Sequence, residues 1–157
     1  MQRQNSVSFR LATVFGVSDR MRIDLLVNNF TYIAFFKKYL EVFEPQFRRN
    51  YVHISDIFGA FNFTIKNFNE LSGEIYNLGL SEANLTKEQL CNEIQKVIPD
   101  FNYVISKDGT DEDKRDYFVS NEKIEKKGFR ASFKLDEGIK ELVDLYSQPN
   151  FIPSQNV

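Results

Sequence analysis

The sequence predicts an α/β fold. Strand-like apolar runs at residues 7–15 and 74–78 carry this reading, together with helical periodicity in the segments between and after them. The chain has 157 residues, enough for one domain or a little more than half of a two-domain enzyme. A domain of that size buries roughly 70% of its unfolded surface, so a sizeable core is expected.

Residues 7–15, V-S-F-R-L-A-T-V-F, form a nearly continuous apolar run ended by Gly16. Such a run suits a strand of a parallel sheet, which is covered on both faces. From 23 to 39, Leu26, Val27, Phe30, Ile33, Ala34 and Tyr39 recur near 3.6 spacing and predict a helix. Residues 40–43 read as a short strand closed by Glu44-Pro45. Ser55 is the expected N-cap of a helix whose apolar stripe is Ile57, Phe58, Phe61, Ile65 and Phe68. The next strand is E-I-Y-N-L at 74–78. Thr86 and Gln89 have capping-box spacing, and the helix behind them sets Leu90, Cys91, Ile94, Val97 and Ile98 on one face until Pro99 stops it. Residues 103–105 read as a strand, 108–116 as a charged loop, and 121–127 as a short helix ending at Gly128. Ile139, Leu142, Val143 and Tyr146 define a last helix, with Asp136 and Glu137 at its positive end. Residues 147–157 hold two prolines without a period and are expected to be a disordered tail.

Composition narrows the function classes. The net charge is −2 with both signs interspersed, which argues against nucleic acid or a membrane surface as partner. Cys91 is the only cysteine, so neither an intrachain disulfide nor a thiolate metal cluster can form. No run of 18 apolar residues occurs and the first residues lack a signal-peptide core, so no membrane span and a cytoplasmic location are expected.

Four stretches, read together, resemble the NAD-dependent epimerase/dehydratase family of extended short-chain dehydrogenase/reductases. They are SFRLATVFGVSDRMRIDLLVNNF (8–30), RRNYVHISDIFGAF (48–61), the pair GEIYNLG (73–79) and LTKEQL (85–90), and KRDYFVSNEKIEKKGF (114–129) before the LDEGIKELVDLY helix. The resemblance implies an α/β fold that is the C-terminal portion of such an enzyme: the last Rossmann strands plus the small substrate-binding domain. Residues 1–146 would form that part, with 7–15 and 74–78 as the remaining strands of the Rossmann sheet. The family's dinucleotide site is a Gly-rich turn at a helix N-terminus. The seven glycines here, at 16, 59, 73, 79, 109, 128 and 138, never form G-x-G-x-x-G or G-x-x-G-x-x-G. The family's catalytic Tyr and Lys lie four apart on a helix, where the Lys lowers the Tyr pKa for proton exchange. One Y-x-x-x-K occurs, Tyr103 to Lys107, but its sequence favours a strand. A strand separates the two by about 13 Å, where one helix face brings such a pair to about 6 Å. No catalytic residue is therefore assigned.

Substrate-binding residues follow from the same resemblance. Phosphates call for Arg forks and amide donors. Arg49 matches an arginine that contacts the substrate diphosphate, and Arg115 matches a second one. Asn28 or Asn29 matches a phosphate-contacting amide, and helix geometry lets only one of the two point at the site. Arg20 and Arg22 lie on the loop that positions sugar and nucleotide, although Asp19 stands where the family usually has Pro. Thr13, Val14, Phe15 and Gly16 would pass the nicotinamide of a complete enzyme. His53, the lone histidine, is expected to hydrogen-bond at a helix start, and Cys91 to be a core residue. The run D-G-T-D-E-D at 108–113 lacks calcium-loop spacing.

The implied function is a truncated nucleotide-sugar epimerase/dehydratase: a half that binds a UDP-, GDP- or dTDP-linked sugar and lacks the NAD-binding and Tyr-Lys region. NAD(P) is implied for a complete enzyme, and no cofactor is expected on this chain alone. The alternative is a non-catalytic remnant or an interaction module that pairs with a partner's sheet. An uncovered apolar strand invites pairing, so either a chain supplying the Rossmann half or a second copy is expected as partner.

Overall fold

A computed structural model describes residues 5–107, 109 and 115–152. Strand β1 (Ser8–Leu11) lies parallel to β5 (Ile75–Leu78), in register from Ser8↔Ile75 to Leu11↔Leu78. At Ala12, whose N–H donates to the Leu78 carbonyl at 2.9 Å, the chain changes neighbour. Strand β2 (Thr13–Phe15) then runs parallel to β4 (Arg48–His53), from Thr13↔Tyr51 to Phe15↔His53. The single strand expected over 7–15 is thus two strands in two sheets. Composition is the same on both sides of Ala12, so the sequence gives no sign of the switch.

Helix α1 (Leu26–Phe36) is shorter than the expected 23–39. Lys38 adopts φ +59, a left-handed conformation that ends the helix, and Tyr39 opens β3 (Tyr39–Phe43). Strand β3 pairs in parallel with β7 (Asn102–Ser106), Tyr39↔Asn102 through Phe43↔Ser106. Strand β4 pairs on its other edge, antiparallel, with the short β6 (Asn84–Thr86). Neither β4 nor β6 is evident in the sequence. Arg49, Asn50 and His53 are buried polar residues within β4, which hides its strand character, and β6 is only three residues long.

Helix α2 (Ile54–Lys66) is capped by His53 and not by Ser55: the His53 Nδ1 accepts from the Ser55 N–H at 3.2 Å. Its apolar stripe also differs from expectation. Ile57, Ala60 and Thr64 face the core, whereas Phe58, Phe61 and Ile65 are 70%, 50% and 74% exposed, and Phe68 starts the short α3 (Phe68–Leu71). Asp56, near the start of α2, accepts from the Ser132 and Phe133 N–H groups at 3.1 and 3.0 Å and ties that loop down.

The remaining helices are α4 (Lys87–Val97), α5 (Glu122–Glu125) and α6 (Leu135–Tyr146). Thr86 and Gln89 form the expected capping box at α4. The core is centred on α1, α4 and α6, through Val27 and Ala34, Leu90, Cys91 and Ile94, and Ile139 and Leu142, all buried. The Val, Leu and Ile side chains among these each contribute about 1.5–3 kcal/mol on burial. The Tyr146 hydroxyl donates to the Asn28 carbonyl at 3.1 Å, and its ring packs on Phe151 with centroids 5.0 Å apart. Of the tail expected from 147 onward, 153–157 lie outside the described residues.

Candidate substrate site

The loop leaving β2 starts at Gly16, whose φ of +113 favours glycine, and a Cβ there would collide with the His53 imidazole. The Gly16 N–H donates to Asn28 Oδ1 at 3.2 Å, and Asn28 Nδ2 donates to the Arg22 carbonyl at 2.9 Å. Asn28 therefore braces both ends of the loop from within α1. Its neighbour Asn29 is half-buried and is not among the residues that line the hollow beside this loop. A hollow of about 180 Å³ lies between this loop and α1, lined by Val14, Gly16, Arg20, Arg22, Asn28 and Ile54 among others. Arg20 is exposed at its rim. Arg22 pairs with Asp24, its Nε 3.2 Å from Oδ1, and that carboxylate raises the guanidinium pKa. Six sequence-predicted residues of two classes thus meet here, Val14, Phe15 and Gly16 with Arg20, Arg22 and Asn28. Thr13, in β2 opposite Tyr51 of β4, does not line the hollow, nor do Arg49 and Arg115.

Beneath the loop, His53 is buried between Phe133, stacked at 3.8 Å and 11°, and the edge of Phe15. Its Nδ1 accepts the α2 capping bond, so the proton on the neutral ring belongs on Nε2, 2.7 Å from Glu141 Oε2. This contact joins β4 and the start of α2 to α6. Gly138 makes room for it, since a Cβ there would strike the Phe15 ring.

A second cluster forms where β4 meets β6. The Asp116 carboxylate accepts from the Arg48 N–H at 2.9 Å and from its Nε at 3.2 Å. The guanidinium bond holds this carboxyl below its usual range. Asp116 thereby lays the following residue along β4, and the Tyr117 ring covers the Arg49 guanidinium at 5.3 Å. Arg49 is only 1% exposed, with Nη1 donating to the Arg48 carbonyl at 2.9 Å. Lys87, 2% exposed, donates from Nζ to the Phe43 carbonyl at 2.9 Å and sits over the Phe47 ring at 5.7 Å. Sequence reasoning missed Lys87, Tyr117, Phe43 and Phe47. The capping box offered one signal, because it fixes Lys87 as the first helical residue, where a cation opposes the helix dipole. Arg115 is exposed, and the acidic residues 111–113 expected beside it lie outside the described residues.

No protein-family model matches the sequence. The fold does match solved structures. A Thermus thermophilus UDP-glucose 4-epimerase in complex with NAD superposes with a TM-score of 0.73 at 20% identity, over 91% of this chain and 47% of that one. This chain has the fold of the C-terminal part of an extended short-chain dehydrogenase/reductase. A Bacillus cereus UDP-glucuronic acid 4-epimerase bound to UDP-glucuronic acid and NAD matches at 0.72 and 19%, over 89% and 44%. A Bacillus anthracis dTDP-glucose 4,6-dehydratase complexed with NAD matches at 0.68 and 19%, over 92% and 45%. The chain spans about half the length of these enzymes.

Within this extended-reductase fold, Tyr103 lies in β7 and its hydroxyl donates to Asn92 at 2.7 Å, so Tyr103 and Lys107 do not share a helix face. A larger cleft of about 780 Å³ opens between α4 and α6 but takes in none of the sequence-predicted residues. Three of its cations, Arg130, Lys140 and Lys96, are paired with Glu82, Asp136 and Glu93 on its own walls. None of the helices among the described residues is long and apolar enough to cross a membrane.

Proposed function

We propose that this chain is the substrate-binding half of a nucleotide-sugar epimerase or dehydratase. The observation behind this reading is the fold match over about nine-tenths of this chain to less than half of enzymes crystallised with NAD and, in one case, UDP-glucuronic acid. Arg20 and Arg22 at the hollow, with Asn29 on α1 and Arg49 and Arg115 near β4, are the groups suited to nucleotide phosphates and sugar. A dinucleotide-binding half, on the same polypeptide or on another, would supply the Gly-rich turn and the Tyr-Lys pair. Residues Thr13 to Gly16 would then pass the nicotinamide, which supplies the hydride chemistry when bound. This chain's own task is to hold and orient the sugar.

Thermal melting in millimolar UDP-, GDP- and dTDP-hexoses tests the reading. A ligand at 100 times its Kd stabilises by about 2.7 kcal/mol, which is readily seen as a rise in Tm. The rise should shrink for Arg49→Lys, which keeps the charge and loses the fork. No rise with any of the three sugars would contradict the proposal.

A second reading has its own observation. The Phe58, Phe61 and Ile65 stripe is exposed beside β1, and among the described residues β1 pairs only with β5. A module that covers this face with a partner's sheet would also fit. Light scattering separates the two: self-association abolished by Phe58→Glu with Ile65→Glu, without any nucleotide response, favours the module.

A further inference from the structure

The cleft between α4 and α6 has the size and lining of a ligand site. Its volume of about 780 Å³ lies in the range of pockets that enclose small molecules. The floor is aliphatic, formed by Leu80, Leu85, Val97, Ala131 and Leu135. One wall is the loop 131–135, which is fixed from behind. Asp56 accepts from the Ser132 and Phe133 N–H groups at 3.1 and 3.0 Å, and the Phe133 ring stacks on His53. Phe133 is thus engaged away from the cleft, while Ser132 and Lys134 on either side of it line the cleft. Among the described residues, four cations line the cleft against three carboxylates. Asp136 holds Lys140 at 2.9 Å, Glu93 holds Lys96 at 2.7 Å, and Glu82 holds Arg130. Lys134 carries the charge left over. Glu137, one helical turn on, directs its carboxylate to the Lys134 N–H at 3.4 Å and does not line the cleft.

We propose that this cleft binds a small monoanion with an aliphatic body, of the class of medium-chain carboxylic acids. The chain covers the aliphatic floor, and the carboxylate meets the Lys134 ammonium with the Ser132 hydroxyl as a second donor. Each part follows from the lining. The three ion pairs on the walls neutralise one another, so a ligand gains chiefly by covering the floor, roughly fourfold in affinity for each methylene buried. The leftover ammonium is a compact point charge and matches a single carboxylate. A nucleoside diphosphate suits the cleft poorly, because the Arg130 fork is taken by Glu82 and lies 3.8 Å from Glu125. The site is therefore distinct from the hollow at the loop after β2, and it stands apart from the nucleotide-sugar reading.

The test is an NMR titration of backbone amides in the full chain with octanoate, decanoate and octan-1-ol. Decanoate should shift the amides of Val97, Ala131, Ser132 and Leu135 to saturation. It should bind roughly tenfold tighter than octanoate, which is two methylenes shorter. Lys134→Met keeps the apolar stem of an exposed side chain and removes its charge. This variant should bind octanoate about two- to fivefold more weakly and octan-1-ol as the wild type does. Shifts spread over the surface without saturation, or equal octanoate affinity for wild type and Lys134→Met, would overturn the proposal. So would broadening of the same amides on concentrating the ligand-free protein, which would give the cleft to a second copy of the chain.

Discussion

At Gly16, His53 and Gly138 the fit is set by individual atoms. The loop after β2 can pass under α1 only because Gly16 has no Cβ and accepts φ +113. Gly16→Ala should therefore lower stability by about 2 kcal/mol or more through combined strain and collision, read as a fall in the urea midpoint at constant slope. Cys91 gives a separate check on the α4 packing. Burial pushes its thiol up to about 12. Native protein at pH 8 should react with a thiol reagent only as fast as it opens, and immediate labelling would refute that packing. Asp116 makes a pH-dependent case. Its folded pKa lies below the ordinary value of 3.8, so it contributes stability above that value and loses it as pH falls through the folded pKa. Carboxyl 13C titration should give a midpoint below 3.8 that moves up toward it in Arg48→Ala. Some of these roles were legible in the sequence. The helix-start role of His53 follows from the family resemblance, and the burial of Cys91 from the apolar face of its helix. The roofing of Arg49 by Tyr117 does not, because it depends on a contact between β4 and a segment far along the chain.

Among the elements, legibility followed locality. The Thr86–Gln89 box and the α4 stripe are set by neighbours within a few residues, and both are present as the sequence implies. Thr86→Ala should cost about 1 kcal/mol, measurable by chemical denaturation. Partner choice was not legible. The apolar run at 7–15 changes sheets at Ala12, and β4 is a strand despite its buried Arg49, Asn50 and His53 because neighbours on both edges supply backbone partners. The α2 stripe misled in a different way. Its large residues look like core positions, yet the core takes the side bearing Ala60 and Thr64. Phe58→Ser with Ile65→Ser should consequently change the stability of the isolated chain by no more than about 0.5 kcal/mol. A loss of several kcal/mol would show that those rings are buried in solution, by a second copy or by another segment.

For the whole molecule, four stretches (8–30, 48–61, 73–79 with 85–90, and 114–129) pointed by resemblance to the C-terminal part of the extended-reductase fold, which the solved structures match at 13–21% identity. The candidate site was legible only in part. Arg20 and Arg22 gather with Val14 and Gly16 around one hollow, while Arg49 belongs to a separate buried cluster with Lys87. On the function proposed above, the loop after β2 would take the sugar and the β4–β6 end the phosphates. Hydrogen exchange with mass spectrometry, with and without saturating UDP-glucose, tests it most directly. The account predicts slowed exchange in the loop after β2, the first turns of α1, and the segments around Arg49, Lys87 and Tyr117. Unchanged exchange throughout, or protection confined to the cleft between α4 and α6, would contradict it.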